Sequence, residues 1–485
     1  MNSPIGHRIT RTEFSATPSR AAAVNMPPPP VTTEASSLSN KRRRPSTTVP
    51  GRTRAVVLAD DIILEVLPRL PVKSILRFRA VCRSWAALFS SKDFCSLHHM
   101  ATTKATTPAP KLLLVSLTSK SDTAKVYSCP LSGGGGHRDD LLFTIDGAAS
   151  NSLQVVTPST CYGLTLLSDS HADARAYYVC NAATRAIARL PPCRYPPYKS
   201  SAGLGFDDQT REYKVVMLNI GYIHGNKAAM CDVYTPGADC WRPAARQVPF
   251  GLFRFAVSAI THASLNEIQP VFANGFLHWL ISPNFLGERP EAAIILFFVA
   301  EETFGSVPSP PFWGPTEGGR PWSQAKGEHL VVMDGHVCIV RNLCDRILVS
   351  AALEIWGLLD YGSGDWSMSH RIDLFGHVGR ELCEAHFVKV IGSVGNCRST
   401  KKIVIFTRSY FGHMSPQKVY TYDPRCQLLQ DIRSITERHT SAAPLFPGPR
   451  FSLFEESLAP VHKFGQELAL PSTLPKETKE TTTTN

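Results

Sequence analysis

Few groupings in the 485-residue chain are of a type and spacing that could do chemistry. Asp139-Asp140 and Asp207-Asp208 are adjacent carboxylates, the residue type of a general acid and base. Neighbours at a strand end point apart, however, so neither pair converges on one proton. His278 stands beside Trp279 with no second histidine at ligand spacing, a pattern of packing in a core. Gly133 to Gly136 form a run of four glycines with no Lys-Ser/Thr after them, so the run reads as a flexible loop and not as a phosphate cradle. Gly362-Ser363-Gly364 lacks the five-residue pattern that presents a nucleophilic serine. Thirteen cysteines are scattered without a CxxC pair. They read as reduced thiols, not as a disulfide framework or a zinc site. The sequence therefore assigns no catalytic, metal-ligating or cofactor-binding residue.

Binding is the chemistry that remains, and residues 58–98 hold three short helical patterns that could serve it. Asp60 can cap a first helix with apolar positions Ile62, Ile63, Val66, Leu67 and Leu70, which Pro68 ends early. Pro71 suits the start of a second helix carrying Ile75, Leu76 and Phe78. Trp85, Leu88 and Phe89 mark a third, and Arg77, Arg79 and Arg83 lie between the two apolar faces. Forty residues bury too little apolar surface to be comfortable alone, so this unit rests on the rest of the chain or on a partner.

Its residues resemble an F-box, the helical module that docks on the Skp adaptor of cullin-based ubiquitin ligases. The opening Leu-Pro-x-Asp/Glu is met by Leu58, Ala59, Asp60 and Asp61, with alanine in place of proline. Leu-Pro-Val-Lys-Ser is met by 70–74, and Arg-x-Val-Cys-Lys/Arg-x-Trp by 79–85. The resemblance implies that Leu58, Leu67, Leu70, Pro71, Leu76, Val81 and Trp85 form and support an adaptor-binding surface, with cullin reached through the adaptor.

The remainder reads differently. Residues 1–54 are rich in Ser, Thr, Pro and Ala, have no apolar period, and are expected to be disordered. Of the net charge of +11, +7 falls within residues 1–57, so the basic balance argues little for a nucleic-acid-binding globular domain. Lys41, Arg42, Arg43 and Arg44 resemble a basic nuclear-import signal, and the acid-poor first 25 residues share features with a transit peptide. The longest apolar run, 292–300, is about half of what a bilayer needs. The expectation is a soluble protein of the nucleus, the cytoplasm or both, with no membrane partner.

From residue 111 the chain offers short β-rich runs. Asn274-Gly275 and Asp334-Gly335 mark tight hairpins within 271–279 and 330–340. A loose repeat, an apolar or aromatic strand followed by a polar turn, occurs at Val126-Tyr127, 177–181, Val233-Tyr234, 295–298, 353–356 and 419–423. Its spacing of roughly 50 to 65 residues is close to a kelch-like blade lengthened by loops. No helical run comparable to that of 58–98 is expected after it. These stretches resemble the F-box-associated domain of plants, through Cys180-Asn181-Ala182-Ala183-Thr184, Gly205-Phe206-Asp207 and 275–279.

The fold expected is mainly β: a propeller-like C-terminal domain (111–460), preceded by a small three-helix F-box (55–98), a linker (99–110) and a disordered basic N-terminal tail (1–54), with a polar tail at 461–485. The resemblance implies a substrate-recognition subunit without catalytic residues. A non-ligase interaction scaffold and a propeller hydrolase are the alternatives. Phe312, Trp313 and Trp322, in the long connection 308–322, are the candidate anchors for a target protein.

Overall fold

The computed structural model describes residues 65–104 and 111–462, except the connections 118–122, 132–138, 147–152, 158–159, 170–174, 194–199, 224, 287–289, 314–326, 344–351, 375–378, 396–400, 410–413 and 439–448. Leu58, the basic run Lys41, Arg42, Arg43 and Arg44, and Trp322 lie outside the described residues.

From residue 111 the strands fall into six antiparallel four-stranded sheets, the blades of a propeller. The first blade holds β1 (Lys111–Leu117), β2 (Thr123–Cys129) and β3 (Asp140–Asp146). The second holds β4 (Leu153–Val155), β5 (Leu164–Asp169), β6 (Ala176–Asn181) and β7 (Ala186–Arg189). The third is β8 (Ser200–Asp207), β9 (Glu212–Ile223), β10 (Asn226–Tyr234) and β11 (Arg242–Pro243). The fourth is β12 (Val271–Ala273), β13 (Phe276–Leu280), β14 (Ala292–Phe298) and β15 (Thr303–Pro308). The fifth is β16 (Gly327–Met333), β17 (His336–Asn342), β18 (Ala352–Asp360) and β19 (Asp365–Asp373). The sixth is β20 (Phe387–Val394), β21 (Lys402–Arg408), β22 (Met414–Asp423) and β23 (Leu428–Arg438). Finally β24 (Phe451–Phe454) pairs with β1, so the first blade is completed by the end of the chain.

The six occurrences of the loose sequence repeat fall on β2, β6, β10, β14, β18 and β22, the third strand of each blade. Those strands lie inside their sheets, and in β6, β14 and β18 most positions are buried on both faces, which makes their apolar runs dense enough to recur visibly. Both anticipated hairpins form, with positive φ at Asn274, Gly275, Asp334 and Gly335, as a two-residue turn matched to the strand twist requires.

The core lies between blades. Leu164, Leu166 and Tyr177 of the second blade pack with Leu204, Tyr213 and Val215 of the third, and Val340 and Ile355 of the fifth pack with Val390 and Ile405 of the sixth. Charge also crosses a blade boundary. Glu302, in the β14–β15 turn, accepts from Arg242 Nη1 and Nη2 (2.8 and 2.5 Å) and from Lys214 Nζ (3.1 Å), and Lys214 also meets Asp207 (3.1 Å). Burial alone would raise the Glu302 carboxyl, but these donors and the Ala245 N–H outweigh it and hold the pKa at about 2.

Four helices of at least seven residues are described: α1 (Val72–Phe78), α2 (Arg83–Phe89), α3 (Lys92–Lys104) and α4 (Phe253–Asn266). Helix α4 corrects the expectation that no helical run follows residue 98. Its buried stripe of Phe255, Ala256, Ala259, Ile260 and Ala263 is carried mostly by alanine, while its Val, Ile, Thr and Phe residues favour a strand reading. Helix α3 was not anticipated either. Ser91 Oγ accepts from the Phe94 N–H (3.2 Å) as its cap, and the helix continues to Lys104, six residues past the expected module end.

His262, His278 and His329 are buried, and desolvation lowers their pKa values to about 4, 4 and 3. Folding thus favours the neutral imidazoles, while the unfolded chain takes up protons from about pH 6.5 downward. The midpoint of urea unfolding should change little between about pH 8 and 7 and fall steadily between 6.5 and 5. A midpoint unchanged down to pH 5 would contradict this.

Candidate functional site

The helices from residue 65 to 104 share one small core. Leu67, Val72, Ile75, Phe89 and Phe94 are buried, and Leu70, Leu76, Phe78, Trp85 and Leu88 are packed around them. Trp85 lies edge-on between Phe78 and Phe89 (ring centroids 5.6 and 5.7 Å), and Phe89 meets Phe94 at 4.9 Å. His98 is buried, and its Nε2 is 3.1 Å from the Leu70 carbonyl, tying α3 to the turn before α1. Desolvation lowers the His98 pKa.

This core is completed by the ring. Leu458, just beyond β24, is one of its buried members, and Ala183 of the β6–β7 turn packs against it. In an antiparallel blade, the turns joining first to second strand and third to fourth lie on one face of the ring, and the remaining connections lie on the other. Ala183, the β8–β9 turn, the entry to β1 and the exit from β24 all share the first face, and α3 rests there. Lys92 Nζ donates to the Thr210 carbonyl (3.0 Å) and to Glu212 (2.9 Å), and Arg211 pairs with Asp93 (2.6 Å). Cys95 Sγ approaches the Leu458 carbonyl (3.6 Å), and burial pushes this thiol up to about 11. His99 stacks on Tyr162 (4.2 Å), which stacks on Phe206 (4.0 Å).

Asn181 locks the seat. Its fully buried Nδ2 donates to the carbonyls of Ser457 (3.0 Å) and Ala459 (2.8 Å), while Oδ1 accepts from the Ala183 and Thr184 N–H groups (2.9 and 3.2 Å). The turn thus forms with Ala182 where the resemblance expects proline, because the asparagine side chain organises it. Gly163, at φ +76°, lets the same segment pass; a Cβ there would lie 2.2 Å from that of Ser457.

Residues 58–97 match the F-box domain, and residues 102–444 match the F-box associated beta propeller domain. The chain belongs to the F-box-associated β-propeller family. It is 27% identical over 336 residues to the F-box protein At5g49610 of Arabidopsis thaliana, covering 66% of this chain and 80% of that one. The F-box protein At5g10340 of the same plant is 25% identical, covering 66% of this chain and 69% of its own. The F-box protein At3g07870, also from Arabidopsis thaliana, is 25% identical over 66% and 73%.

Within the F-box, the structure separates supporting from accessible positions. Leu67 is buried; Leu70, Leu76 and Trp85 are half-buried; Pro71 is exposed and Val81 is 64% exposed. Val66 (52%), Leu97 (40%) and Met100 (50%) add apolar surface. Leu97 and Met100 were missed because the helix that carries them was.

The candidate target anchors require correction. Trp313 is fully buried and donates from Nε1 to Glu328 (3.0 Å), so it offers no surface to a partner. Phe312 packs on Trp356 (4.9 Å) with the Arg341 guanidinium over its ring at 4.3 Å. Both cover a buried network in which Arg341 meets Glu328 and Glu354 (3.2 Å each). The paired carboxylates diverge as read: Asp207 faces Lys214, and Asp208 accepts from Tyr162 Oη (2.8 Å). His278 is buried between the Val271 carbonyl and Tyr361 Oη.

At the ring centre, Glu267 pairs with Arg408 (2.7 Å), and its backbone carbonyl accepts from Lys389 Nζ (2.7 Å). Burial lowers the Lys389 pKa to about 8. The cavity beside Glu267, His329 and Lys389 measures about 30 Å³, room for a water and not for a substrate. Among the described residues no group of three metal-ligating side chains converges, and no helix is long and apolar enough to cross a membrane.

Asn181→Ala should cost about 3 kcal/mol in urea unfolding, since two buried carbonyls lose their donor. Arg211→Ala should cost less than about 1 kcal/mol, because its partner Asp93 is 88% exposed. Equal losses for the two variants would contradict the assignment of Asn181 as the lock.

Proposed function

We propose that this chain is the substrate-recognition subunit of a Skp-cullin-F-box ubiquitin ligase, binding the Skp adaptor through its F-box helices and a target protein through the ring. The observation that carries this reading is accessible apolar surface on a module otherwise seated on its own domain. Val66, in the first helical turn described, and Val81, in the turn between α1 and α2, are more than half exposed, while the buried side of the module packs with Leu458 and Ala183. Isolated apolar residues on a surface need no partner, but several on one small helical module, in a chain that matches the F-box family across that module, mark a docking face.

Such a subunit needs no catalytic residue. Holding a target lysine near a ubiquitin-conjugating enzyme raises its effective concentration, and a rigid body with one binding surface at each end accomplishes this. The seat of α3 on the ring supplies the rigidity. Target capture is assigned to the face opposite the F-box, where α4 and the connection after β15 lie.

Val81→Asp combined with Pro71→Ala alters two exposed side chains and leaves the F-box core in place. Capture of the full chain by a purified Skp adaptor should weaken at least tenfold, about 1.4 kcal/mol or more. Unchanged capture, with urea stability preserved, would overturn the adaptor-binding reading.

A further inference from the structure

The junction between the F-box and the ring holds a crevice large enough for a small molecule. It lies between α3, the connection from β4 to β5, the β8–β9 turn and the segment after β24, and it measures about 330 Å³, against about 30 Å³ at the ring centre. Ligand sites run from roughly 300 to 1,000 Å³ and favour such domain junctions. Cys95 and Met100 of α3 line one side, and Tyr162, Phe206 and Pro460 line the other, so the walls are mainly apolar.

Two turns build the ring side of the crevice. Cys161 and Leu164 exchange backbone hydrogen bonds (3.0 and 2.9 Å) across Tyr162 and Gly163, both at positive φ. A bulky side chain rarely adopts the φ of +52° found at Tyr162, and here its neighbours hold it there. Its ring stacks with His99 (4.2 Å) and Phe206 (4.0 Å), and its hydroxyl donates to Asp208 Oδ1 (2.8 Å). In the second turn, Asp207 Oδ1 accepts from the Gln209 and Thr210 N–H groups (2.9 and 3.2 Å). That arrangement turns the Asp207 carboxylate inward and leaves Asp208 at the exposed rim of the crevice.

Charge decides what the crevice accepts. Lys92 and Arg211 also line it, but Lys92 meets Glu212 (2.9 Å) and Arg211 meets Asp93 (2.6 Å). Asp208 has only the neutral Tyr162 hydroxyl, and among the described residues no donor meets its second oxygen. The two cations and three carboxylates of this group therefore leave one negative charge over, and it sits beside apolar walls. A cation with an apolar body complements both features, whereas an anion is repelled.

We propose that this crevice binds a small organic amine. Its ammonium group donates to the second oxygen of Asp208, and its apolar body rests against Met100, Tyr162 and Pro460. Such a ligand touches α3 and the ring together, so its binding reinforces the seat of the F-box. The site goes beyond the receptor reading and does not rest on it.

The test titrates the full chain with phenethylamine and naphthylethylamine by ligand-observed NMR, each beside the alcohol and the carboxylate of the same carbon frame. The amines should bind about tenfold or more tightly than their matched analogues. Asp208→Asn keeps an acceptor for the Tyr162 hydroxyl and removes the charge, so it should weaken the amines about tenfold and leave the alcohols unchanged. Asp140→Asn, at a 65% exposed carboxylate on the first blade, should change neither. Hydrogen exchange with saturating amine should slow at residues 95–100 and 208–211. Absence of binding by both amines up to about 10 mM, the weakest affinity expected of ligands this small, would overturn the proposal. So would alcohols or carboxylates that match the amines, amine binding indifferent to Asp208→Asn, or slowed exchange confined to other segments.

Discussion

The whole assembly depends on a strand that arrives last. β24 lays Phe451, Leu453 and Phe454 against β1, and the Arg450 carbonyl accepts from the Val115 N–H at 2.9 Å. Each of those side chains contributes about 1.5 to 3 kcal/mol by leaving water. The ring is therefore closed by contacts between residues more than three hundred positions apart, and the first blade is not complete until they form. The next few residues carry Leu458 into the F-box core and offer the Ser457 and Ala459 carbonyls to Asn181. One segment both closes the ring and seats the helices.

That economy has a mechanical consequence. Helix α3 meets the β8–β9 turn through Lys92 and Asp93 at its start, enters the F-box core through Phe94, and stacks His99 on Tyr162 of the ring. A hinge at the expected linker would leave the two binding regions free to wander. Continuation of α3 to Lys104 instead carries helical order through half of that linker. Under the receptor reading, this is what converts two separate affinities into a defined distance between the adaptor and the target.

Much of the fold was legible in the sequence because it rests on local rules. Asn-Gly and Asp-Gly fix hairpin turns through positive φ, and the third strand of every blade lies inside its sheet, so its apolar residues recur. What was hidden depends on distant partners. Helix α4 buries a stripe of alanines that carries no strong period, and α3 buries beside Phe94 the polar His98, which a hydrophobic period does not count. Trp313 read as a surface anchor because it sits in a long Pro/Gly-rich connection, yet Glu328, fifteen residues on, gives its indole N–H a buried acceptor. Of the F-box surface, Pro71 and Val81 could be named from the motif alone. Which of the motif's other residues support from inside, as Leu67 does, required the packing.

The central claim is that the F-box is already seated on the ring through one side and keeps its other side for the adaptor. Hydrogen exchange of the full chain, with and without a purified Skp adaptor, tests it most directly. Adaptor binding should slow exchange at Val66, in α1 and across residues 79–82, while Phe94, Cys95 and His98 in α3 stay protected and unchanged. No slowing in α1 and 79–82, or adaptor-induced opening of α3 at those three residues, would contradict it.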